Sequence, residues 1–278
     1  MSFIKTITTA LLAAVVLTSC GGSDKKKEAE MKEPKLKEEN FTYSAAGLDS
    51  VKLDGYVVYD ENMEGKRPAV LVVHEWWGLN DYAKMRAREL AKLGYIAMAL
   101  DMYGNGQRGD NPDAAGKLAT PFYQDPAKAK PLFEAALNKL KGYAQADGEK
   151  VAAIGYCFGG AQVVNMAKMG ADLKGVVSFH GNLMVMPADK EKLKAQILVC
   201  HGAEDNFVPN EEVDKFKKEM DSIGAKYTFK SYPGAVHAFT NPNATELGEK
   251  FKINVKYNPA ADTASWNDMK EFFNTIFK

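Results

Sequence analysis

The chain has 278 residues, and 46% of them are hydrophobic, which is enough for a substantial buried core. Its 36 Lys and Arg residues balance 36 Asp and Glu residues, and no basic cluster with interleaved aromatic residues occurs. The composition therefore argues against nucleic-acid binding. The length alone permits one large domain or two small ones.

The first 20 residues have the pattern of a secretion signal. Lys5 supplies a short basic segment, and the apolar stretch over residues 7–17 is too short to span a bilayer. The stretch ends in L-T-S-C at residues 17–20, which resembles a bacterial lipobox, where the cysteine becomes the lipidated N-terminus. The sequence thus predicts an exported bacterial lipoprotein of the cell envelope, anchored to a membrane through Cys20. An ordinary cleaved signal with an incidental cysteine is the alternative.

Twelve of the 20 residues at positions 21–40 are charged, and most of them are Lys and Glu, as far as Glu39. Such a segment buries too little apolar surface to offset the conformational entropy lost on ordering it. We therefore predict a flexible, solvated tether between the signal and a folded domain that begins at about residue 41.

From about residue 41 to residue 278, apolar runs alternate with amphipathic helical patterns, which predicts one α/β domain. The apolar runs are continuous rather than alternating, as in strands of a mostly parallel sheet that helices cover on both faces. The predicted strands are residues 57–59, 69–73, 96–100, 151–154, 176–179, 197–200 and 227–229. The predicted helices are residues 81–93, 126–140, 161–169, 210–223 and 263–277. Residues 105–124, which are rich in glycine, are predicted to form a long loop beside the ligand pocket.

Cys157 lies between Gly155 and Gly159, after one predicted strand and before a predicted helix. This arrangement matches a nucleophile elbow, a sharp strand-to-helix turn that exposes the reactive side chain, with cysteine where serine is usual. The alternative is a small buried residue in a strand-to-helix loop. The strand before the motif and the helix after it favour the nucleophile.

A cysteine nucleophile needs a base and an acid that orients the base. After the nucleophile, Glu204 and Asp205 follow the predicted strand at 197–200, and His237 ends a turn-rich loop. This order of nucleophile, acid and histidine is that of α/β-hydrolases, and Asp205 is preferred because the helix at 210–223 offers Glu204 an exposed position.

The other three histidines have simpler interpretations. His180 and His201 follow strands and are expected to form hydrogen bonds with loops. His74 is next to Glu75, but no further ligands at a suitable spacing indicate zinc, so no metal is predicted.

Three motifs together resemble the dienelactone hydrolase family: G-Y-C-F-G-G at residues 155–160, H-G-A-E-D at 201–205 and G-A-V-H-A-F at 234–239. The resemblance covers nearly the whole chain from about residue 41. It implies an α/β-hydrolase fold with a catalytic triad of Cys157, His237 and Asp205.

The resemblance also extends to residues 72–78, V-V-H-E-W-W-G, where Glu75 stands in the place of a family glutamate. In the family this carboxylate contacts the resting thiol and takes part in its activation, and a structural buried salt bridge is the alternative. The resemblance further implies an oxyanion hole formed by the backbone N–H groups of Trp76 and Phe158.

The chain departs from the family at the substrate carboxylate. Two family arginines bind that group, and Asn105 and Asn241 stand at their places. An asparagine cannot supply a charged bidentate contact, although Arg108 remains a candidate. Trp77 and Tyr103 complete the predicted pocket, and neutral substrates are therefore expected.

The sequence thus predicts a hydrolase that cleaves a small-molecule ester or lactone through a thioester on Cys157, without a cofactor. Cys157 and Cys200 should lie two strands apart, about 9.6 Å, which is too far for a disulfide bond. A non-catalytic ligand-binding envelope lipoprotein with the same fold is the main alternative. A thiol redox protein is the other, and the missing partner cysteine disfavours it.

Overall fold

The structure, a computed structural model, describes residues 33–278. The predictions for the signal peptide, for Cys20 and for residues 21–32 of the tether lie outside the described residues. Within residues 33–278, no helix combines the length and the hydropathy that crossing a bilayer requires.

The described chain forms an eight-stranded sheet in the order β1-β2-β4-β3-β5-β6-β7-β8. The strands β3 to β8 are mutually parallel, while β2 is antiparallel to both β1 and β4. The strands are β1 Leu36–Ser44, β2 Lys52–Asp60, β3 Arg67–Val73, β4 Ile96–Leu100, β5 Ala146–Tyr156, β6 Gly175–Phe179, β7 Gln196–Gly202 and β8 Tyr227–Tyr232.

Seven α-helices accompany the strands in residues 33–278. They are α1 Asp81–Lys92, α2 Pro112–Gln124, α3 Ala129–Lys141, α4 Phe158–Lys168, α5 Asn210–Ile223, α6 Ala244–Phe251 and α7 Pro259–Ile276. The helices α1 and α7 contribute to one apolar layer, and α3, α4 and α5 contribute to the other. The prediction of an α/β fold with a mostly parallel sheet covered on both faces is therefore confirmed.

The strand β3 shows why the central strands read as continuous apolar runs. Ala69, Leu71 and Val73 belong to one apolar layer, and Val70 and Val72 belong to the other. Successive side chains of a strand point to opposite faces, so a strand with a helix layer on each face needs apolar residues at every position.

The order of the strands determines where a ligand can bind. From β3 the chain passes to β4 on one side, and after β4 it returns to β5 on the other side of β3. In open α/β sheets, ligands bind at the carboxyl ends of the strands where the order reverses in this way. The loops after β3 and β5 therefore meet at the expected site.

The boundary between the tether and the domain was predicted too late in the chain. The strand β1 begins at Leu36, so residues 36–40 are paired with β2 and do not belong to a tether. This edge strand has largely exposed side chains, and charge on an edge strand also discourages pairing with other chains. Its composition therefore resembles that of a solvated linker, while its backbone is held by the hydrogen bonds to β2.

The prediction of a loop over residues 105–124 is also wrong in its second half. The side chain of Asn111 accepts a hydrogen bond from the backbone N–H of Ala114, and Pro112 follows at the first helical position. Both are helix-start signals, and they outweigh Gly116 and Pro121 within the helix α2. The helix α6, between the histidine loop and α7, was not predicted at all.

Candidate active site

Cys157 occupies the turn between β5 and α4, with a φ of 53° and a ψ of −115°. Positive φ is rare for a residue with a side chain and indicates a strained turn. The side chain is partly exposed, and Cys157 and Cys200 are free cysteines. Cys157 follows β5 and Cys200 lies in β7, so they are two strand spacings apart in the sheet, as predicted, with β6 between them.

The glycines around Cys157 are required by close backbone packing. A Cβ atom on Gly155 would overlap the carbonyl group of Gly159, and one on Gly159 would overlap the carbonyl oxygen of Val73. The start of α4 therefore lies directly against the ends of β5 and β3. Only glycine permits this turn to place Cys157 at the edge of the sheet.

The geometry distinguishes Asp205 from Glu204. Asp205 is buried, and its Oδ2 lies 2.8 Å from Nδ1 of His237. Its other oxygen accepts backbone N–H groups from Phe207 at 2.9 Å and Val208 at 3.3 Å, which fixes the carboxylate. Glu204 is exposed. The structure thus brings Asp205, and not Glu204, to the histidine.

The surroundings of His237 favour its protonated form. Burial opposes the positive charge, but the hydrogen bond to Asp205 and the Cys157 sulfur, when that sulfur is a thiolate, outweigh it. Together they raise the pKa of His237 well above its usual range. The imidazole is therefore a strong proton acceptor between the sulfur and the Asp205 carboxylate.

Glu75 is buried in the loop after β3, and its Oε2 accepts a hydrogen bond of 2.7 Å from Nδ2 of Asn241. Burial raises the pKa of Glu75 from 4.5 to about 7, while the bond to Asn241 and the proximity of His237 oppose that rise. The partner of this carboxylate is thus an amide four residues after His237. No buried cation forms a salt bridge with Glu75 among the ion pairs of residues 33–278.

Trp76 and Phe158 lie in the loop after β3 and at the start of α4, on either side of the candidate nucleophile Cys157. Phe158 is the first residue of α4, where a backbone N–H has no acceptor within the helix. Trp76 follows Glu75 in the loop after β3 and lines the cavity at Cys157. The oxyanion hole predicted at their two backbone N–H groups stays a prediction.

A cavity of about 210 Å³ opens above Cys157. Its walls are mainly apolar, and they include neither lysine nor arginine. The lining residues are Glu75, Trp76, Trp77, Tyr123, Cys157, Asn182, Phe207, His237, Ala238, Asn241, Ala244, Leu247, Ile253 and Val255.

Two predicted pocket residues do not line this cavity. Asn105 is exposed, and its Oδ1 accepts the N–H of Lys52 on β2 at 3.0 Å. The carboxylate of Asp101 accepts backbone N–H groups from residues 103, 104 and 106, which curls the chain back towards β2. Tyr103 is buried behind the site, where its hydroxyl donates to the carbonyl oxygen of Trp76 at 2.9 Å.

The predicted pocket residues Trp77 and Asn241 do line the cavity. The prediction missed Tyr123 on α2 and the wall formed by Leu247, Ile253 and Val255. The helix-start signals at Asn111 and Pro112 could have identified α2, but no sequence motif places Tyr123 beside the nucleophile.

Of the other histidines, His180 forms hydrogen bonds with loops, as expected, and His74 also forms hydrogen bonds. The same expectation for His201 stays a prediction. His74 bonds to the carbonyl oxygen of Glu75 and accepts the N–H of Met102 at 3.1 Å. His180 bonds to the backbone of Cys157 and to Thr240. His201 is buried with its ring near Phe229. Among residues 33–278, no group of three or more His, Cys, Asp or Glu side chains is arranged to hold a metal ion.

The sequence model of the dienelactone hydrolase family matches residues 53–277 of the chain. The chain is also 31% identical over 230 residues to "Protein usf" of Aquifex pyrophilus, a match that covers 81% of this chain and 94% of the relative. It is 30% identical over 235 residues to "Putative carboxymethylenebutenolidase" of Aquifex aeolicus, covering 83% and 96% of the two chains.

A solved structure with a similar fold is a dienelactone hydrolase-like promiscuous phosphotriesterase from metagenomic libraries. Its TM-score to this chain is 0.81 at 35% sequence identity, and the match covers 87% of this chain and 99% of the other. These similarities span the sheet, the nucleophile turn and the histidine loop.

Proposed function

Because the chain belongs to the dienelactone hydrolase family, we propose that it cleaves neutral carboxylic esters or lactones through a thioester on Cys157. The observation that carries the proposal is the juxtaposition of three groups. Cys157 stands at a strained turn, His237 is next to it, and Asp205 lies 2.8 Å from the far side of the His237 ring.

In the first half of the reaction, His237 takes the proton of the Cys157 thiol, and the sulfur attacks the carbonyl carbon of the substrate. The carbonyl oxygen becomes an oxyanion, which the backbone N–H groups of Trp76 and Phe158 stabilise. When the tetrahedral intermediate collapses, the bond to the leaving oxygen breaks. That oxygen takes the proton from His237 and leaves as the alcohol, and the acyl group remains on the sulfur.

In the second half, His237 takes a proton from water, and the resulting hydroxide attacks the thioester. The carbon–sulfur bond breaks, the acid departs, and the thiol of Cys157 is regenerated with the proton from His237. Asp205 holds the His237 ring in orientation throughout and stabilises its positive charge. No oxidant, reductant or metal is required.

A direct test measures turnover of short-chain chromogenic esters by the domain from residue 34 onwards. A rapid burst followed by steady turnover supports hydrolysis. The absence of turnover with a broad panel of esters, lactones and thioesters would support the alternative of a non-catalytic ligand-binding protein. The family match favours hydrolysis over that alternative.

A neutral phosphotriester belongs in the same panel. The structurally similar protein from metagenomic libraries is a promiscuous phosphotriesterase. The cavity of the present chain has no cation among its lining residues, and a neutral triester needs none. Turnover of such a substrate would use the same attack by Cys157.

We further propose that Glu75 is retained for activity at the expense of stability. Because the pKa of Glu75 is raised from 4.5 to about 7, its contribution to stability is fully present below pH 4.5 and is lost as the pH rises through 7. One pKa unit corresponds to about 1.4 kcal/mol. The rise from 4.5 to about 7 therefore lowers the free energy of unfolding by about 3 kcal/mol at high pH. E75Q should therefore be more stable than the parent protein at pH 8, but less active.

Thermal unfolding and kcat at pH 6 and pH 8 check this prediction, with E204Q as the matched control because Glu204 is exposed. The ionised Glu75 stabilises the His237 imidazolium, so kcat of the parent protein should rise through pH 7 and that of E75Q should not. If E75Q is destabilised at pH 8 and retains its activity, Glu75 is only a structural residue.

We also propose that Cys20 carries a lipid that anchors the protein to a membrane of the cell envelope. C20A should shift the exported protein from the membrane fraction to the soluble fraction, without changing kcat/KM of the folded domain. Fractionation of cells followed by detection of the protein measures this shift. Equal partitioning of C20A and the parent protein would contradict the lipobox interpretation.

A further inference from the structure

A polar chain behind the nucleophile contains a buried histidine for which the mechanism above has no role. His180 follows β6, is 1% exposed and has a φ of 44°. Positive φ is costly for a residue with a side chain and persists only where the surrounding contacts hold it. The hydrogen bonds of the His180 ring are therefore expected to hold this backbone conformation.

One ring nitrogen of His180 accepts a hydrogen bond from the backbone of Cys157. The backbone N–H of Cys157 donates to Nδ1 of His180 at 3.1 Å and also points at the carbonyl oxygen of Phe179 at 3.0 Å. An N–H can only donate, so Nδ1 presents a lone pair, and the ring proton is on Nε2. His180 is thus a neutral imidazole with an acceptor towards Cys157 and a donor on its far side.

The other ring nitrogen contacts the loop of the catalytic base. Nε2 of His180 lies 2.8 Å from Oγ1 of Thr240, which follows His237 by three residues. The rings of His180 and His237 also pack edge to face, with their centroids 5.2 Å apart. A single imidazole therefore connects the nucleophile turn to the histidine loop.

Thr240 is itself fixed from behind. Its Oγ1 lies 2.6 Å from the hydroxyl of Tyr82, and its carbonyl oxygen accepts a hydrogen bond of 2.5 Å from Arg86. Arg86 is buried and also donates to Asp262 at 2.6 Å, which ties α1 to α7. The far end of the connection is thereby anchored to two helices of the domain.

We propose that His180 is a positioning residue of the hydrolase, which fixes the distance between the sulfur of Cys157 and the imidazole of His237 by bridging their two loops. The proposal rests on the proposed function, because it assigns those two groups as nucleophile and base. Burial, together with the charges of His237 and Arg86, lowers the pKa of His180 well below its usual range. The neutral form is therefore retained, in agreement with the hydrogen-bond pattern.

The expected consequence is a loss of kcat without a loss of substrate affinity. His180 is not among the residues that line the cavity, so KM should change less than about threefold on its replacement. A displacement of reacting groups by about 1 Å costs on the order of 10²-fold in rate. We therefore expect H180A to lower kcat by about 10²-fold.

The conservative variant H180N separates positioning from a loss of packing. The Oδ1 of asparagine takes nearly the place of Nδ1 and accepts the Cys157 N–H, and asparagine tolerates positive φ better than most residues. H180N should therefore recover most of kcat, to within about tenfold of the parent protein. T240V removes the other contact with little change of shape and should lower kcat by about tenfold. The double variant H180A/T240V should be no worse than H180A, since both remove one connection.

The experiment measures kcat, KM and the melting temperature of these variants with a chromogenic ester, with H201A as the control. His201 is a buried histidine whose ring lies near Phe229, and it does not line the cavity. The kcat of H201A should therefore equal that of the parent protein. Equal kcat values for H180A and H201A would overturn the proposal, as would equal losses in H180A and H180N. If H180A does not fold, an unchanged kcat in T240V would overturn it instead. An active C157A would refute the proposed function, whereas an inactive C157A with a fully active H180A refutes only the positioning role.

Discussion

Replacement of Cys157 by alanine is expected to lower kcat/KM for a chromogenic ester by about 10³-fold or more, while the domain remains folded. The variant removes the only nucleophile that the proposed mechanism uses, and losses of this size are typical when a catalytic nucleophile is deleted. Alanine keeps the Cβ atom at the strained turn, and the sulfur that it removes belongs to a small side chain that is already partly exposed to solvent. Loss of the sulfur should therefore change the melting temperature little.

C200A is the matched control for this experiment. Cys200 is the other free cysteine of the described chain, and it is buried in β7, where the Tyr232 hydroxyl lies 3.5 Å from its sulfur. Burial raises the pKa of Cys200 to about 12, so its thiol is unreactive at neutral pH. C200A should keep its kcat. Residual activity in C157A above about a thousandth of the parent rate would mean that the nucleophile is wrongly assigned.

The second large effect concerns the charge of the substrate. The methyl ester of an acid lactone should be hydrolysed about 10²-fold better, in kcat/KM, than the lactone with its free carboxylate. A charge-assisted contact is worth about 1.5–3 kcal/mol, and the cavity offers a substrate carboxylate no cation with which to form one, so a loss of about this order is expected. The lining of the cavity contains no lysine or arginine. Above its pKa of about 7, the ionised Glu75 also repels an anion. Trp76 and Trp77 instead offer apolar surface to a neutral group.

The variant N241R tests the cause of this preference. It places a cation at a position that lines the cavity next to Glu75, and it should raise kcat/KM for the free acid relative to the methyl ester. N243R is the control, because Asn243 is on the same loop but does not line the catalytic cavity. A preference of the parent protein for the free acid would contradict the account. Arg108 would then be the first residue to examine as the carboxylate-binding group.

The main residues of the candidate site could be identified from the sequence because each of them follows a strand. Cys157 comes after β5, Asp205 after β7 and His237 after β8, and parallel strands bring their carboxyl ends to one edge of the sheet. The apolar runs indicate those strands, and the order of residues along the chain then separates the candidates.

The walls of the pocket could not be predicted in the same way. Asn105 follows β4, yet the Asp101 carboxylate curls the turn so that Asn105 bonds to Lys52 on β2. The side of the cavity includes Tyr123 on α2 and Leu247 on α6, far from Cys157 in sequence. Such contacts depend on the packing of helices against loops. This packing produces no local sequence pattern from which the lining residues could be predicted.

The role of His180 was hidden for a related reason. A histidine after a strand was expected to bond to loops, and the structure confirms that expectation. The sequence could not indicate which loops these are, because Thr240 and Cys157 are distant in the chain. Only the folded arrangement shows that the two partners belong to the turn at Cys157 and the loop of His237.

The most direct measurement of the central claim is the mass of the intact protein after a rapid acid quench during turnover of a short-chain activated ester. We expect the mass of the protein to increase by that of one acyl group. Peptide mapping should locate this group on Cys157, hydroxylamine should release it, and C157A should lack it. Steady turnover of the parent protein with no acylated protein at any quench time would contradict a thioester mechanism. Acylation of another residue with full activity in C157A would contradict it equally.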